Sequence, residues 1–366
     1  VTLEESAGLH ARASAFISAF EAGRQMPEPF DALAVDLARY QARRVSGYAR
    51  LCAARHVDPA AMRAAADAPA VPTDAFKHAE VFAFEPALAA ATFRTSGTTV
   101  GARGTHRMRH VGTYDHAALA FGRAMLAAGL RPPVPVLVVG PSPCEAPDSS
   151  LTHMNAVFAL SWHGEVRDED RFFVREGSLD AEGLRARVAS LEPATPAVVL
   201  ATSFALVHLL DAIGTETLPL PRDSRVMQTG GFKGKSREVD ANELRREVAR
   251  VFDVHERSVI GEYGMTELSS QFWEGTVADP HARSGVYVEP PWARVVAVDP
   301  ESLRPVANGE VGIARIEDLA NVDSAFAVLT QDCVRRVPGG FELLGRAAGA
   351  PPRGCSISLD EMLGGT

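Results

Sequence analysis

Four short apolar runs, Val134–Val139, Ala197–Ala201, Arg225–Gln228 and Val259–Glu262, end in turn residues and are separated by segments of helical periodicity. No other feature constrains the fold as strongly. A strand covered on both faces reads as a continuous apolar run, and a crossover helix between two such strands makes them parallel. Ala181–Leu191 and Asn242–Phe252 supply helical patterns between runs, and Tyr114–Leu130 precedes the first. Strand, helix, strand in repetition predicts an α/β fold with a largely parallel sheet.

The two ends of the chain read differently. Leu33, Leu37, Tyr40, Tyr48 and Leu51 recur at helical spacing within residues 1–70, and Asp31 is placed to cap them. Ala49–Ala68 continues that character until Pro69 and Pro72 stop it. Later, Trp292–Asp299, Gly309–Ile316 and Ala325–Val337 read as strands, and Pro338-Gly339-Gly340 turns the last into Phe341–Leu344 as a hairpin. No repeat, low-complexity stretch or Pro/Gly/Ser-rich linker divides the 366 residues, so one composite domain and two domains both suit the length.

Composition then removes whole classes. Hydrophobic residues at 46% and charged residues at 23% exclude a disordered or coiled-coil chain. Lys and Arg number 37 against 46 Asp and Glu, a net charge of −9, which argues against nucleic acid as a partner but leaves room for a local basic pocket. Cys52, Cys144, Cys333 and Cys355 lie far apart with no C-x-x-C spacing, against a zinc site or a disulfide framework. No run approaches the roughly 20 apolar residues of a membrane span. Val1-Thr2-Leu3-Glu4-Glu5 lacks a signal-peptide start, so the expected location is cytoplasmic.

Four patches carry candidate chemistry. Phe93-Arg94-Thr95-Ser96-Gly97-Thr98-Thr99-Val100-Gly101-Ala102-Arg103-Gly104-Thr105 offers backbone N–H and hydroxyl donors with a cation, which suits phosphate oxygens. It is not a Walker A loop, because position 102 is Ala where Gly is required; a plain polar turn is the other reading. In Gly261-Glu262-Tyr263-Gly264-Met265-Thr266-Glu267, Tyr263 can stack on a base, Thr266 can bond a phosphate and Glu267 can hold Mg²⁺; equally, Thr266 and Glu267 can simply cap a helix. Thr229-Gly230-Gly231-Phe232-Lys233 permits close approach to a flat ligand or makes a tight turn. In Thr330-Gln331-Asp332 the carboxylate suits ribose hydroxyls or bulk water. His106 and His110 stand four apart, but Arg107 and Arg109 flank them and would repel a divalent metal, which leaves solvated strand residues as the simpler reading.

In this order the four patches resemble the adenylate-forming superfamily of acyl and aryl ligases across roughly residues 92–346. Val71-Pro72-Thr73-Asp74-Ala75-Phe76-Lys77, Gly230-Gly231-Phe232-Lys233 and Arg353-Gly354-Cys355-Ser356 resemble, more narrowly, its acyl-protein synthetase (LuxE-type) branch. The resemblance implies an adenylate-forming core over 1–345, with its helical region at 1–70, and a short tail over 346–366. It also implies a ligase that converts a small carboxylic acid, fatty or aryl, and ATP into an acyl-adenylate. The acyl group then passes as a thioester to a protein thiol and on to a partner protein, a reductase or carrier protein. By the same resemblance Thr95, Ser96, Gly97, Thr98, Thr99 and Arg103 cradle the triphosphate, and Thr266 and Glu267 act at the phosphates with Glu267 on Mg²⁺. Gly230, Gly231, Tyr263 and Gly264 hold adenine, Asp332 and Arg346 serve the nucleotide, and Cys355 accepts the acyl group.

Two departures stand out. Where the superfamily's loop continues Gly-x-Pro-Lys-Gly, this chain has Val100-Gly101-Ala102-Arg103-Gly104, replacing a compact ammonium with a guanidinium. Only 20 residues follow Arg346, so no counterpart is expected for the lysine of the superfamily's mobile C-terminal domain. Cys355 is expected on a mobile arm, with Arg353 favouring its thiolate. The competing expectations are an external thiol, coenzyme A or a carrier protein, and a non-catalytic nucleotide- or acyl-binding subunit.

Overall fold

The computed structural model describes residues 2–95, 102–164, 167, 170–230, 240–347 and 353–364. The chain divides into two compact units, one of Val1–Ala120, Met265–Gln271 and Val288–Thr366, the other of Phe121–Gly264 and Phe272–Tyr287.

The first unit opens with α1 (Thr2–Glu21), α2 (Phe30–Arg44) and α3 (Ser46–Ala54), helical as predicted, but the helix expected to continue over Ala49–Ala68 stops at Ala54 and gives way to short 3-10 turns at Pro59–Ala61 and Ala65–Asp67. Leu33, Leu37 and Tyr40 form the buried stripe of α2. Asp31 does not cap it: Pro29 occupies the cap position, and Asp31 lies inside the first turn, too far along to reach the free amides. Its carboxylate instead accepts from Ala65 N at 3.1 Å and Arg294 Nη1 at 3.3 Å. Next come β1 (Val71–Pro72), α4 (Ala75–His78) and a hairpin of β2 (Ala91–Arg94) with β3 (Thr105–Met108), and α5 (Val111–Met125) leads into the second unit.

The second unit is the α/β layer. In it β4 (Val136–Val139) is followed by α6 (Ser150–His163), a small hairpin of β5 (Val174–Arg175) and β6 (Ser178–Leu179), and α7 (Ala181–Ala189). Then come β7 (Val198–Thr202), α8 (Ser203–Ile213), β8 (Arg225–Thr229), α9 (Ala241–Phe252) and β9 (Val259–Tyr263). β4, β7, β8 and β9 pair in parallel in that order, and β10 (Phe272–Glu274) adds antiparallel to β9, with β11 (Val286–Val288) beyond it. On one face Val199, Val226 and Val259 pack with Leu184, Val188, Leu206, Leu244 and Val248 of the crossover helices. Val136–Val139 of β4 and residues 198–201 of β7 are buried at every successive position, hence on both faces, which is why these strands read as unbroken apolar runs. The register sets Thr202 beside Thr229 and Thr229 beside Glu262, at the carboxyl ends where open parallel sheets bind ligands.

The chain returns to the first unit with β12 (Ala293–Val298), β13 (Val311–Asp318), β14 (Ala327–Val337) and β15 (Gly340–Arg346), an antiparallel succession. β1 joins β14 in parallel, Val71 beside Val328. The last element is α10 (Arg353–Leu363). Among the described residues no helix is long and apolar enough to cross a membrane.

Candidate active site

The Ser/Thr-Gly loop springs from the β2–β3 hairpin. Ser96, Gly97, Thr98 and Thr99 lie outside the described residues, but both edges of the loop are fixed. Thr95 N donates to the Gly104 carbonyl at 2.9 Å, and Gly104 N donates to Thr95 Oγ1 at 2.9 Å. Arg103 donates Nε to the Thr95 carbonyl at 2.7 Å and Nη2 to the Arg94 carbonyl at 3.3 Å. Its guanidinium therefore clamps the loop root, a task for which a planar fork suits better than an ammonium.

The segment Met265–Gln271 of the same unit is braced from two directions. His106 Nδ1 donates to the Thr266 carbonyl at 2.6 Å, and Asn321 Nδ2 donates to the Glu267 carbonyl at 2.9 Å. Asp318 accepts from Ser269 N at 2.8 Å and Ser270 Oγ at 2.7 Å. His106 is not solvated: it is buried, and burial pulls its imidazole down to about 4, which keeps it neutral and leaves Nδ1–H as the donor. Its inward direction was readable in the alternation of β3, where His106 and Met108 are the buried positions. Asn321 and Asp318 carried no such signal. The Glu267 side chain is only 7% exposed.

Farther along this unit, Asp332 on β14 stands opposite Arg346 on β15, Oδ1 to Nε at 3.5 Å. Beside it Gln331 Nε2 donates to Asp74 Oδ2 at 2.8 Å, and Lys77 Nζ donates to Asp74 Oδ1 at 2.6 Å. Cys355 is not on an arm beyond the core. It occupies the first turn of α10, 3% exposed among Val298, Ile313 and Leu329, and its Sγ donates to the Thr330 carbonyl at 3.6 Å. Burial, with the negative charge of Asp74, pushes the thiol up to about 11, the reverse of an activated thiolate.

In the second unit Gly230 follows β8 with φ +74°, a conformation that favours glycine, and its carbonyl accepts from Ser203 Oγ at 2.8 Å. Gly231 lies outside the described residues. Tyr263 ends the neighbouring strand, 7% exposed, with its ring against Phe272 and Tyr287. The hydroxyl of Thr229 donates to Glu262, a carboxyl 4% exposed that burial pushes up to about 7. Gly261 is required: a Cβ there would lie 2.9 Å from both Glu274 Cδ and the Tyr287 hydroxyl. Gly264, the last residue before Met265, is half-buried.

Thus the first unit joins Thr95 to Arg103, Asp332 to Arg346, and the loop-bearing hairpin to Thr266-Glu267, while the second sets Gly230 level with Tyr263. Among the described residues no three His, Cys, Asp or Glu side chains gather as a metal site. A single carboxylate such as Glu267 fits Mg²⁺ that arrives with a nucleotide, because that ion keeps phosphate and water ligands.

A family profile described as acyl-protein synthetase, LuxE, matches residues 28–364. The chain belongs to the LuxE acyl-protein synthetase family. Two curated relatives are both named long-chain-fatty-acid–luciferin-component ligase. The Vibrio harveyi protein is 24% identical over 202 residues, covering 52% of each chain. The Aliivibrio fischeri protein is 24% identical over 151 residues, covering 38% of each. These matches span about half the length of the first relative and less of the second. Among solved structures, 2-hydroxyisobutyryl-CoA ligase with 2-HIB-AMP superposes with a TM-score of 0.65 at 13% identity, over 86% of this chain and 67% of its own. ATP-bound MatB from Rhodopseudomonas palustris gives 0.50 at 17%, over 70% and 48%. At such identities the likeness establishes the fold. This LuxE-family chain has the α/β architecture of adenylate-forming ligases.

Proposed function

We propose that this LuxE-family protein activates a carboxylic acid with ATP and transfers the acyl group to its own Cys355, from which a partner protein takes it. The observation that carries the reading is the position of Cys355: its thiol bonds the Thr330 carbonyl, two residues before Asp332, the carboxylate suited to the nucleotide's ribose. On this reading the acceptor thiol neighbours the strand whose carboxylate serves the ribose. The relatives' name, with its long-chain fatty acid and luciferin component, supports a fatty acid as substrate and a protein as final acceptor.

In the first step a carboxylate oxygen of the acid attacks the α-phosphorus of ATP, and the bond from that phosphorus to the bridging oxygen breaks, releasing pyrophosphate. Thr95 and Arg103 hold the root of the phosphate loop, with Ser96, Gly97, Thr98 and Thr99 as its donors. Thr266 bonds a phosphate oxygen, and Tyr263, Gly264, Gly230 and Gly231 form the adenine wall. Asp332 accepts the ribose hydroxyls, and Arg346 orients Asp332. Glu267 would hold Mg²⁺, which would supply charge neutralisation when bound. The contribution of the chain is chiefly positioning for in-line attack. In the second step the Cys355 sulfur attacks the acyl carbon, the carbon–oxygen bond to phosphate breaks, AMP leaves with the electron pair, and the thiol proton passes to water.

One observation favours a second reading, transfer to an external thiol of coenzyme A or a carrier protein: the buried and poorly acidic state of Cys355. Exchange of labelled pyrophosphate into ATP, run with a panel of aliphatic and aryl acids, tests the shared first step. Acid-dependent exchange is expected, and its absence with every acid would refute both readings.

A further inference from the structure

Arg55, the residue that ends α3, reaches two side chains of α10: Nε donates to Glu361 Oε2 and Nη2 to Ser358 Oγ, each at 2.7 Å. Ser358 and Glu361 stand three apart, on one face of the helix, so one planar fork spans both. Arg50 donates Nε to the Met362 carbonyl at 2.7 Å, holding a group at the helix end that has no intrahelical partner. Met362 itself is fully buried, and a Cβ on Gly47 would lie 3.1 Å from its Cε.

The other end of the helix is seated as closely. Gly354 N donates to the Pro300 carbonyl at 3.0 Å, and a Cβ on Gly354 would lie 2.6 Å from Leu303 Cδ2 and 2.7 Å from that carbonyl. Cys355 follows directly, so its burial depends on the whole helix staying down. None of these contacts takes part in the chemistry proposed above, and a thiol so enclosed cannot meet an acyl-adenylate.

We propose that Arg50 and Arg55 are positioning residues that latch α10 over Cys355, so that these two side chains set how often the thiol is uncovered for acyl transfer. The proposal rests on Cys355 being the acyl acceptor. The latch is suited to reversible release. Arg55 and Glu361 are 29% and 20% exposed, and ion pairs with that access to water are weak. Once undocked, an 11-residue helix is marginal on its own, so the released segment becomes an extended arm. Reactivity of Cys355 then scales with the undocked fraction.

Peptide-resolved alkylation of the full chain with iodoacetamide, without ATP or acid, reads that fraction. Cys144, which is exposed, is the fast reference, and Cys52, buried on α3 itself, reports general loosening. Cys355 is expected to react at least about a hundredfold more slowly than Cys144, as a group protected by local opening does. Arg55→Ala should speed Cys355 about tenfold, equivalent to about 1.4 kcal/mol, with Cys52 unchanged; Arg50→Ala should act in the same direction. Reversing the pair with Arg55→Glu and Glu361→Arg together should restore slow alkylation. Equal rates for Cys355 and Cys144 in the unaltered protein, no acceleration in Arg55→Ala, or equal acceleration of Cys52 would each overturn the latch. Because alkylation needs neither nucleotide nor acid, a missing thioester refutes the acyl assignment without changing this readout.

Discussion

His106 Nδ1 lies 2.6 Å from the carbonyl oxygen of Thr266, a residue 160 positions farther along the chain. The bond fastens the strand that leaves the Ser/Thr-Gly loop to the turn that carries Glu267. A shift of one therefore moves the other.

Replacing His106 with Ala leaves the Thr266 carbonyl without its donor in a partly buried place. The expected loss of folding stability is about 1–3 kcal/mol, read as a lower midpoint of urea unfolding. Acid-dependent exchange should fall further than the stability loss alone explains, since the Thr266-Glu267 turn loses its brace. Exchange and stability both at the level of the unaltered protein would remove His106 from the positioning role.

Glu267→Gln keeps shape and volume while deleting the negative charge proposed to meet Mg²⁺. Loss of a metal clamp on the phosphates is expected to reduce exchange by at least about a hundredfold, roughly 2.7 kcal/mol, with the unfolding midpoint near that of the unaltered chain. A change smaller than about tenfold would mark Glu267 as a structural carboxylate. Raising the Mg²⁺ concentration should recover part of the lost rate.

Glu262 imposes a pH dependence on stability whose sign is defined. Its carboxyl titrates near 7 when folded against an ordinary value of 4.5, because burial disfavours the charge. Below pH 4.5 both states keep the proton. As pH rises, the unfolded chain releases it first, so the contribution of Glu262 is lost progressively between 4.5 and 7, up to about 3 kcal/mol. Glu262→Gln should flatten the stability profile over that interval. Parallel profiles for variant and unaltered protein would contradict the assignment.

Cys355→Ser should abolish hydroxylamine-labile label from a radiolabelled acid while pyrophosphate exchange continues. Label surviving the substitution would place the acceptor elsewhere. Exchange with no protein-bound label in the unaltered chain would favour an external thiol.

The strands Val136–Val139, Val198–Thr202, Arg225–Thr229 and Val259–Tyr263 were legible within two residues of their limits, because burial on both faces demands contiguous apolar residues. The stretch from Tyr263, the end of β9, through Gly264 and Thr266 to Glu267 was legible as a motif for a different reason, since its members are neighbours in sequence. Helix ends were harder. Tyr114–Leu130 became Val111–Met125, and Asp31 had the side chain of a cap but not the position.

What surrounds the motifs belongs to the tertiary structure. Asn321 and Asp318 hold Glu267, Ser269 and Ser270 from 48 to 54 residues away, and no local pattern records such a partner. Cys355 shows the contrast most sharply. Composition placed it in a short segment after glycine and proline, suggestive of an arm, yet the chain seats it under Thr330 and latches its helix with Arg55, 306 residues from Glu361. Periodicity describes which face of an element is apolar. Which distant surface covers that face, and whether a thiol beneath it meets solvent, is decided only when the elements pack.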